Sequence, residues 1–194
     1  MEPCLALELA STVRHDGNGG VADDLSDAED AVRWLRARSD AGAVADAGVV
    51  REELVALRQA VRALFARAVS PAPPSPADAN RLLPAPEALE RLNAAAAREP
   101  VIPQLTLLDG VFTHALAPSA ERDPLLRLTA AVARATIALL TGPDRDLLRA
   151  CTAPRCVRYY VKQHGRQEYC KPSCGNRARV ARHYRRQRTA APPD

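Results

Sequence analysis

Cys151-Thr152-Ala153-Pro154-Arg155-Cys156 and, thirteen residues further on, Cys170-Lys171-Pro172-Ser173-Cys174-Gly175-Asn176-Arg177 hold four of the chain's five cysteines within 24 residues. Zinc takes four thiolates tetrahedrally, so a protein that binds it this way needs two short loops, each delivering a pair of sulfurs, joined by a segment that folds back. The spacing Cys-x4-Cys-x13-Cys-x3-Cys supplies all three parts. Pro154 favours a turn inside the first pair. Val157–Val161 reads as a strand, Gln163-His164-Gly165 as a turn, and Gln167–Tyr169 as the returning strand. A helix is predicted from Gly175 to Arg188, which puts Cys174 near its first turn, where free N–H groups and the backbone dipole stabilise a thiolate. A knuckle, a hairpin and a helix around one Zn2+ describe a treble-clef-like finger. Four cysteines close the coordination shell, so the metal is structural rather than catalytic. His164 and His183 could each replace a ligand but sit in the turn and well along the helix. Cys4 stands alone in an apolar run and reads as a small core residue.

The helix after the last ligand carries Arg177, Arg179, Arg182, Arg185, Arg186 and Arg188, and no acid follows until Asp194. At about 100° per residue, Arg179, Arg182 and Arg186 share one face and Arg185 widens it. An arginine row is ordinarily a solvated face. Here no acids lie between the arginines, and their mutual repulsion is costly unless an anion compensates it. Phosphate fits the planar guanidinium fork, which makes nucleic acid the expected partner and Lys171, Asn176, Arg177, Arg179, Arg182, Arg185 and Arg186 the candidate contacts.

Charge divides the chain at the same place. Residues 1–150 hold 16 Lys/Arg against 21 Asp/Glu, whereas residues 151–194 hold 11 against 2. The two parts are expected to meet different partners. Of the 27 basic residues only Lys162 and Lys171 are lysine, and only 4% of the chain is aromatic. The Ala and Leu excess over β-branched residues favours helices packed through small side chains, giving a mainly α fold. No run approaches the roughly 18 to 20 consecutive apolar residues that span a bilayer, and the start lacks a basic-then-apolar secretory layout. A cytoplasmic protein without a membrane partner is the expectation. In that reducing compartment, clustered cysteines serve metals more often than disulfides.

The first 145 residues read as a helical domain and 146–194 as the finger. Leu5–Val13 is predicted as a short helix, and Asp16–Gly20 as an exposed loop. Ser26-x-x-Glu29 has capping-box spacing ahead of a helix through Val32, Trp34 and Leu35. Trp34 reads as a core aromatic. In the helix predicted at 50–68, Val50, Leu54, Leu57, Val61, Leu64 and Ala68 form one apolar face, with Glu52, Gln59 and Arg62 opposite. Six prolines between Pro71 and Pro86 make a surface connection with one helical turn near Asp78–Leu83. A helix at 86–97 is predicted to turn Leu89 and Leu92 inward. Val101–Leu107 and Val111–Leu116 flank Leu108-Asp109-Gly110, a hairpin signal. Asp123-Pro124 begins the next helix, ended by Gly142-Pro143.

The string Cys170-x3-Cys174-Gly175-Asn176-Arg177, followed by Arg179-Val180-Ala181-Arg182-His183-Tyr184-Arg185-Arg186, resembles the CGNR zinc-finger family. In that family the finger follows a mostly helical ABATE domain, so the resemblance implies a stress-induced transcription regulator. Residues 5–13 are similar to the domain's opening motif Leu-Asp-Phe-x-Asn-Thr. Glu8, Leu9 and Ser11 replace its Asp, Phe and Asn, and Thr12 is kept.

The leading expectation is a DNA-binding regulator whose helical domain senses a small-molecule effector or forms a homodimer. A finger that binds RNA or protein, and a thiol sensor that releases zinc on oxidation, are the alternatives. Catalysis is not expected: Glu8, His15, Asp109 and His114 are possible acid–base groups, but no spacing ties them into a set.

Overall fold

The computed structural model describes residues 4–18, 20–42, 46–117 and 120–190, with 188–190 as backbone only. Gly19 of the predicted loop and the side chain of Arg188 therefore lie outside the described residues. The fold is mainly α. Six α-helices and three two-stranded sheets are seen among the described residues: α1 (Leu5–Ala10), β1 (Val13–His15), β2 (Val21–Asp23), α2 (Ala28–Arg36), α3 (Ala47–Ala68), α4 (Ala85–Ala97), β3 (Pro103–Leu108), β4 (Val111–Leu116), α5 (Pro124–Thr141), β5 (Leu148–Ala150), β6 (Tyr159–Val161) and α6 (Pro172–Ala190).

The 22-residue helix α3 is the central element, packed against α1, α2, α4 and α5. Asp46 caps it by accepting from the backbone N–H groups of Gly48 and Val49. Its expected apolar row is present, with Val50, Leu54, Leu57, Val61 and Leu64 buried. Arg62, expected on the solvent side, is instead only 4% exposed, and its neighbour one turn back, Arg58, is also buried. Helix α3 is covered on more than one face, so positions outside the leucine stripe are enclosed too. Trp34 is buried on α2, with the guanidinium of Arg38 4.2 Å above its ring. Cys4 packs partly buried against the same core.

By length and composition α5 could cross a membrane, with a mean hydropathy of 1.3 over 18 residues. It carries Arg127 and Arg134, however, and buries Leu125, Leu128, Val132 and Leu139 against α1, α3 and α4, which makes it a core helix here. Asp123 caps it through Leu125 N–H, as Asp-Pro implies.

Five local expectations are corrected. The first helix stops at Ala10, where Thr12 turns its hydroxyl back onto the Leu9 carbonyl, and the chain then enters β1. The Asp16 carboxylate accepts from the N–H groups of Asn18 and Gly20 and closes an unforeseen β1–β2 hairpin. The cap of α2 is Asp27, which accepts from Asp30 N–H, while Ser26 donates to the Asp30 side chain. Residues 76–80 form hydrogen-bonded turns rather than a helical turn. On α4 it is Ala88, Leu92 and Ala95 that turn inward, and Leu89 is 48% exposed. The helix is rotated so that small alanines meet α3 at close range. The Asp109-Gly110 hairpin forms as read, with both residues at positive φ, 50° and 78°, the pair of values a two-residue turn of this kind requires.

Candidate metal centre

The first cysteine pair sits at the tip of a hairpin. Strands β5 and β6 pair antiparallel, Leu148 with Val161 and Ala150 with Tyr159, and the knuckle Cys151–Cys156 is the loop between them. Cys151 N–H donates to the Arg158 carbonyl at 2.9 Å, and Cys156 N–H to Ala153 at 3.0 Å. Arg155 takes a left-handed conformation with φ 63° to make the turn that tight. The expected hairpin between 157–161 and 167–169 is corrected: β6 pairs backwards with β5, and Gln167–Tyr169 is not a strand. The Gln167 side chain satisfies the backbone there, accepting from Gln163 N–H and donating to the Tyr169 carbonyl, while Tyr160 donates its hydroxyl to the Glu168 carbonyl. These bonds replace a strand ladder.

The second pair comes from the start of α6. Cys174 is the helix's third residue, and its N–H donates to the Lys171 carbonyl at 3.0 Å. All four sulfurs lie within 4.8 Å of one another. Separations of 3.5 Å between Cys170 and Cys174, 3.7 Å between Cys156 and Cys170, and 3.8 Å between Cys174 and Cys156 match the roughly 3.8 Å edge of a tetrahedron built on ~2.3 Å metal–sulfur bonds. Cys151, Cys156 and Cys174 are buried and Cys170 is half-buried. The donor set therefore fits a closed four-thiolate metal site.

Electrostatics point the same way. The Cys156 thiol is held far below its ordinary range because Cys151 and then Cys170 donate hydrogen bonds to its sulfur. Cys170 is pushed up by its hydrogen bond with Cys151 and then by the one with Cys156. Burial raises Cys174 to about 11. A divalent metal held among the four sulfurs would let all of them ionise. Tyr160, packed against the cluster, is raised to about 12 by burial and the neighbouring Cys151.

A profile described as "Putative stress-induced transcription regulator", ABATE, matches residues 4–143, and one described as CGNR zinc finger matches 148–187. The chain belongs to the ABATE family. No curated protein matches it. The finger match begins at β5, the strand that the hairpin around the knuckle needs.

The finger is fastened to the ABATE domain through buried polar groups that the sequence did not single out. Arg62 makes a two-pronged ion pair with Asp78, at 2.8 and 2.9 Å, and donates to the Ala10 and Val157 carbonyls. Ser75 donates to the same Val157 carbonyl at 2.9 Å, and Tyr159 donates to Asp78 at 2.7 Å. Val157 directly follows Cys156, so α3 grips the knuckle backbone. Tyr159 also meets Phe65 edge to face, and Leu148, Tyr159 and Val161 complete the helical core. The available signal is an arginine, Arg62, on the far side of α3 from its leucine stripe, with one acid, Asp78, in a proline-rich loop. Thr12, the retained motif residue, accepts from Arg58, which also pairs with Asp23 on β2. Glu8, in a departing motif position, pairs with Arg38.

The nucleic-acid candidates divide. Arg179, Arg182, Arg185 and Arg186 are exposed on α6, and Lys171 and Asn176 are exposed at its start. Asn176 accepts from Arg179 at 2.8 Å. Arg177 turns inward and is half-buried; it donates to Cys174 Sγ at 3.2 Å, and its Nε is buried with no protein partner. This places a positive charge against the thiolates rather than on the outer surface. The possible acid–base residues are not brought together: Glu8 lies on α1, His15 ends β1, Asp109 is at a hairpin tip and His114 is on β4.

Proposed function

We propose that this chain is a zinc-dependent DNA-binding regulator of the cytoplasm that acts by binding and not by catalysis. The observation that carries the reading is the direction of α6. The helix starts at the Cys170–Cys174 pair, runs to Ala190 without an acidic residue, and shows four arginines to solvent. Zinc would be held by Cys151, Cys156, Cys170 and Cys174 and would supply a rigid cross-link between knuckle and helix. Four thiolates on a divalent cation leave two negative charges, and Arg177 offsets part of that excess from the second sphere. The outward arginines match phosphates spaced along a duplex.

The ABATE domain supplies the sensory part in this reading. Between the end of α2, β4 and α5 lies a cleft of about 720 Å³, into which Arg36, Arg38, Arg122, Arg127 and Arg134 project against Asp40 and Glu99. Its excess of positive charge suits an anionic effector.

The test is binding of purified metal-loaded protein to duplex DNA, single-stranded DNA and structured RNA across a salt series. Tightest binding to duplex with a steep salt dependence supports the reading. Preference for RNA, or no binding at low salt, defeats it. A redox reading has one observation in its favour, the half-buried Cys170 beside three buried thiols, and metal release by dilute peroxide at unchanged pH would support it.

A further inference from the structure

The hairpin β3–β4 is built the wrong way round for a monomer. Its register pairs Pro103 with Leu116, Leu105 with His114, and Leu107 with Phe112, which places Leu105, Leu107, Phe112 and Leu116 on one face together with Pro103 and His114. Gln104, Thr106, Leu108, Val111, Thr113 and Ala115 occupy the other, with the two apolar residues Leu108 and Val111 at the hairpin tip. Strands that cover a core turn their apolar face inward. Here Thr113 and Ala115 are half-buried, whereas Leu105 is 74% and Phe112 71% exposed. The strands pack on each other and make at most marginal contact with other elements. A lone two-stranded hairpin is marginal in water until a further layer covers it.

We infer that this apolar face is a dimerisation surface, covered by the same face of a second copy of the chain. Two properties select a second copy. The first is charge: in a chain with 26% charged residues, the stretch 101–117 has Asp109 as its one formally charged residue, and that lies at the tip. A twofold contact sets each residue near its own copy or a neighbour's, so a patch without charge meets itself without repulsion, and it offers nothing by which a charged partner would be chosen. The lysines and inward charges that protect exposed strands from one another are missing.

The second property is area. Leu105, Leu107, Phe112 and Leu116 together expose on the order of 500 Å², so a twofold contact buries about 1,000 Å² in all, the least that a specific interface needs. One copy's patch is at the upper end of the roughly 300–600 Å² of the largest apolar patch on a typical monomer, a size often tied to function. Face-to-face stacking is the mode, since joining edges would pair backbone groups but leave Leu105 and Phe112 in water. Two stacked hairpins about 10 Å apart form a four-stranded, two-layer unit around a leucine and phenylalanine core.

The inference does not depend on what the finger binds. Sedimentation and light scattering of the full metal-loaded chain, from about 1 to about 100 μM, are expected to show a dimer. Leu105→Glu with Phe112→Glu is expected to raise the dissociation constant at least ~100-fold while far-UV dichroism is unchanged, because neither side chain belongs to the core. Should that pair misfold, Leu105→Thr with Phe112→Thr keeps strand-forming residues and is still expected to weaken association. Glu at Gln104 and Thr106, on the opposite face, is expected to leave the dimer intact, and so is Arg182→Ala with Arg186→Ala on α6. A wild-type chain that stays monomeric throughout the range overturns the inference. So does a Leu105/Phe112 variant that dimerises as the wild type does, or a dimer lost through the Gln104/Thr106 change alone.

Discussion

Helices α3 and α6 each carry arginines one turn apart, Arg58 and Arg62 on the first, Arg182 and Arg186 on the second, and the two pairs meet opposite fates. Those of α3 are enclosed and find acids from elsewhere in the chain, Asp23 on β2 and Asp78 in the proline-rich loop. Those of α6 stay in solvent, on a helix with no acid of its own. Spacing is the same in both, so it cannot assign a role. What separates them is burial, which follows the residues between the arginines. On α3 these include Ala60 and Val61, both fully buried, whereas on α6 they are His183, Tyr184 and Arg185, all exposed. A buried arginine holds the fold together here. An exposed row on a helix with no acid of its own presents its charge to solvent.

The comparison breaks most severely if α6 does not depend on metal. Stripping zinc with a strong chelator, or replacing Cys174 by Ser, is expected to unfold the knuckle and the start of α6 while α3 and its neighbours keep their helical signal. Structural zinc contributes roughly 10–16 kcal/mol to folding in isolated finger peptides, far more than any side-chain contact. Metal analysis paired with far-UV dichroism checks this. Protein purified without chelator that holds no metal, or that keeps its full spectrum after stripping, refutes it.

Next in size is Arg62→Ala. Breaking a buried ion pair by removing one partner costs about 3–5 kcal/mol, because Asp78 is left charged and enclosed. The Val157 carbonyl also loses a donor, so the loss is expected to reach the finger and loosen metal. Denaturant unfolding and zinc competition read the two effects. Adding Asp78→Asn to the same chain is expected to recover part of the stability, which a purely steric role for Arg62 would not allow.

Arg177 lies between the two classes: it is on the basic helix, yet it faces the sulfurs. Arg177→Ala is expected to lower metal affinity by about 10- to 100-fold, the usual cost of losing a group that supports a ligand. Its effect on nucleic acid is expected to follow only through the metal, so at saturating zinc the variant is expected to bind as the wild type does. Weaker nucleic-acid binding at saturating zinc would move Arg177 back among the outward contacts.

How much of this was legible depends on whether a feature is local. The four cysteines, the Asp109-Gly110 turn and the Asp123-Pro124 start are decided by a few adjacent residues, and each is found where its spacing puts it. The pairing of β6 is not legible because Leu148–Ala150 precedes the first cysteine and reads as a lead-in, while Gln167 mimics a strand but spends its side chain on neighbouring backbone. Spacing alone puts Arg62 in solvent, because nothing within α3 signals that Ala10, Asp78 and Val157 close over its other side. Spacing puts Leu89 inside because leucine outranks alanine in hydrophobicity, whereas the helix here buries Ala88 and Ala95. In each of these cases the deciding partner is remote in sequence.

The smallest effect on stability and the sharpest on function are expected from Arg182→Ala with Arg186→Ala. Both side chains are exposed and no acid of α6 lies beside them, so removing two like charges from one face is expected to change folding stability by no more than about 0.5 kcal/mol. Binding behaves differently. Each phosphate contact releases close to one counterion from duplex DNA, so losing two is expected to lower the slope of log affinity against log salt by about two. If the arginines touch phosphate, the loss is similar on every duplex sequence. If one reads guanine through a bidentate contact, about 1–3 kcal/mol of discrimination disappears at a single base position. One finger offers little surface for reading bases, so phosphate contact is the expected outcome, with sequence preference arising when two chains present two fingers. Anisotropy titrations of the variant and the wild type on the same duplexes, over a salt series, separate these cases. An unchanged affinity at low salt would show that α6, for all its difference from α3, is only a solvated helix.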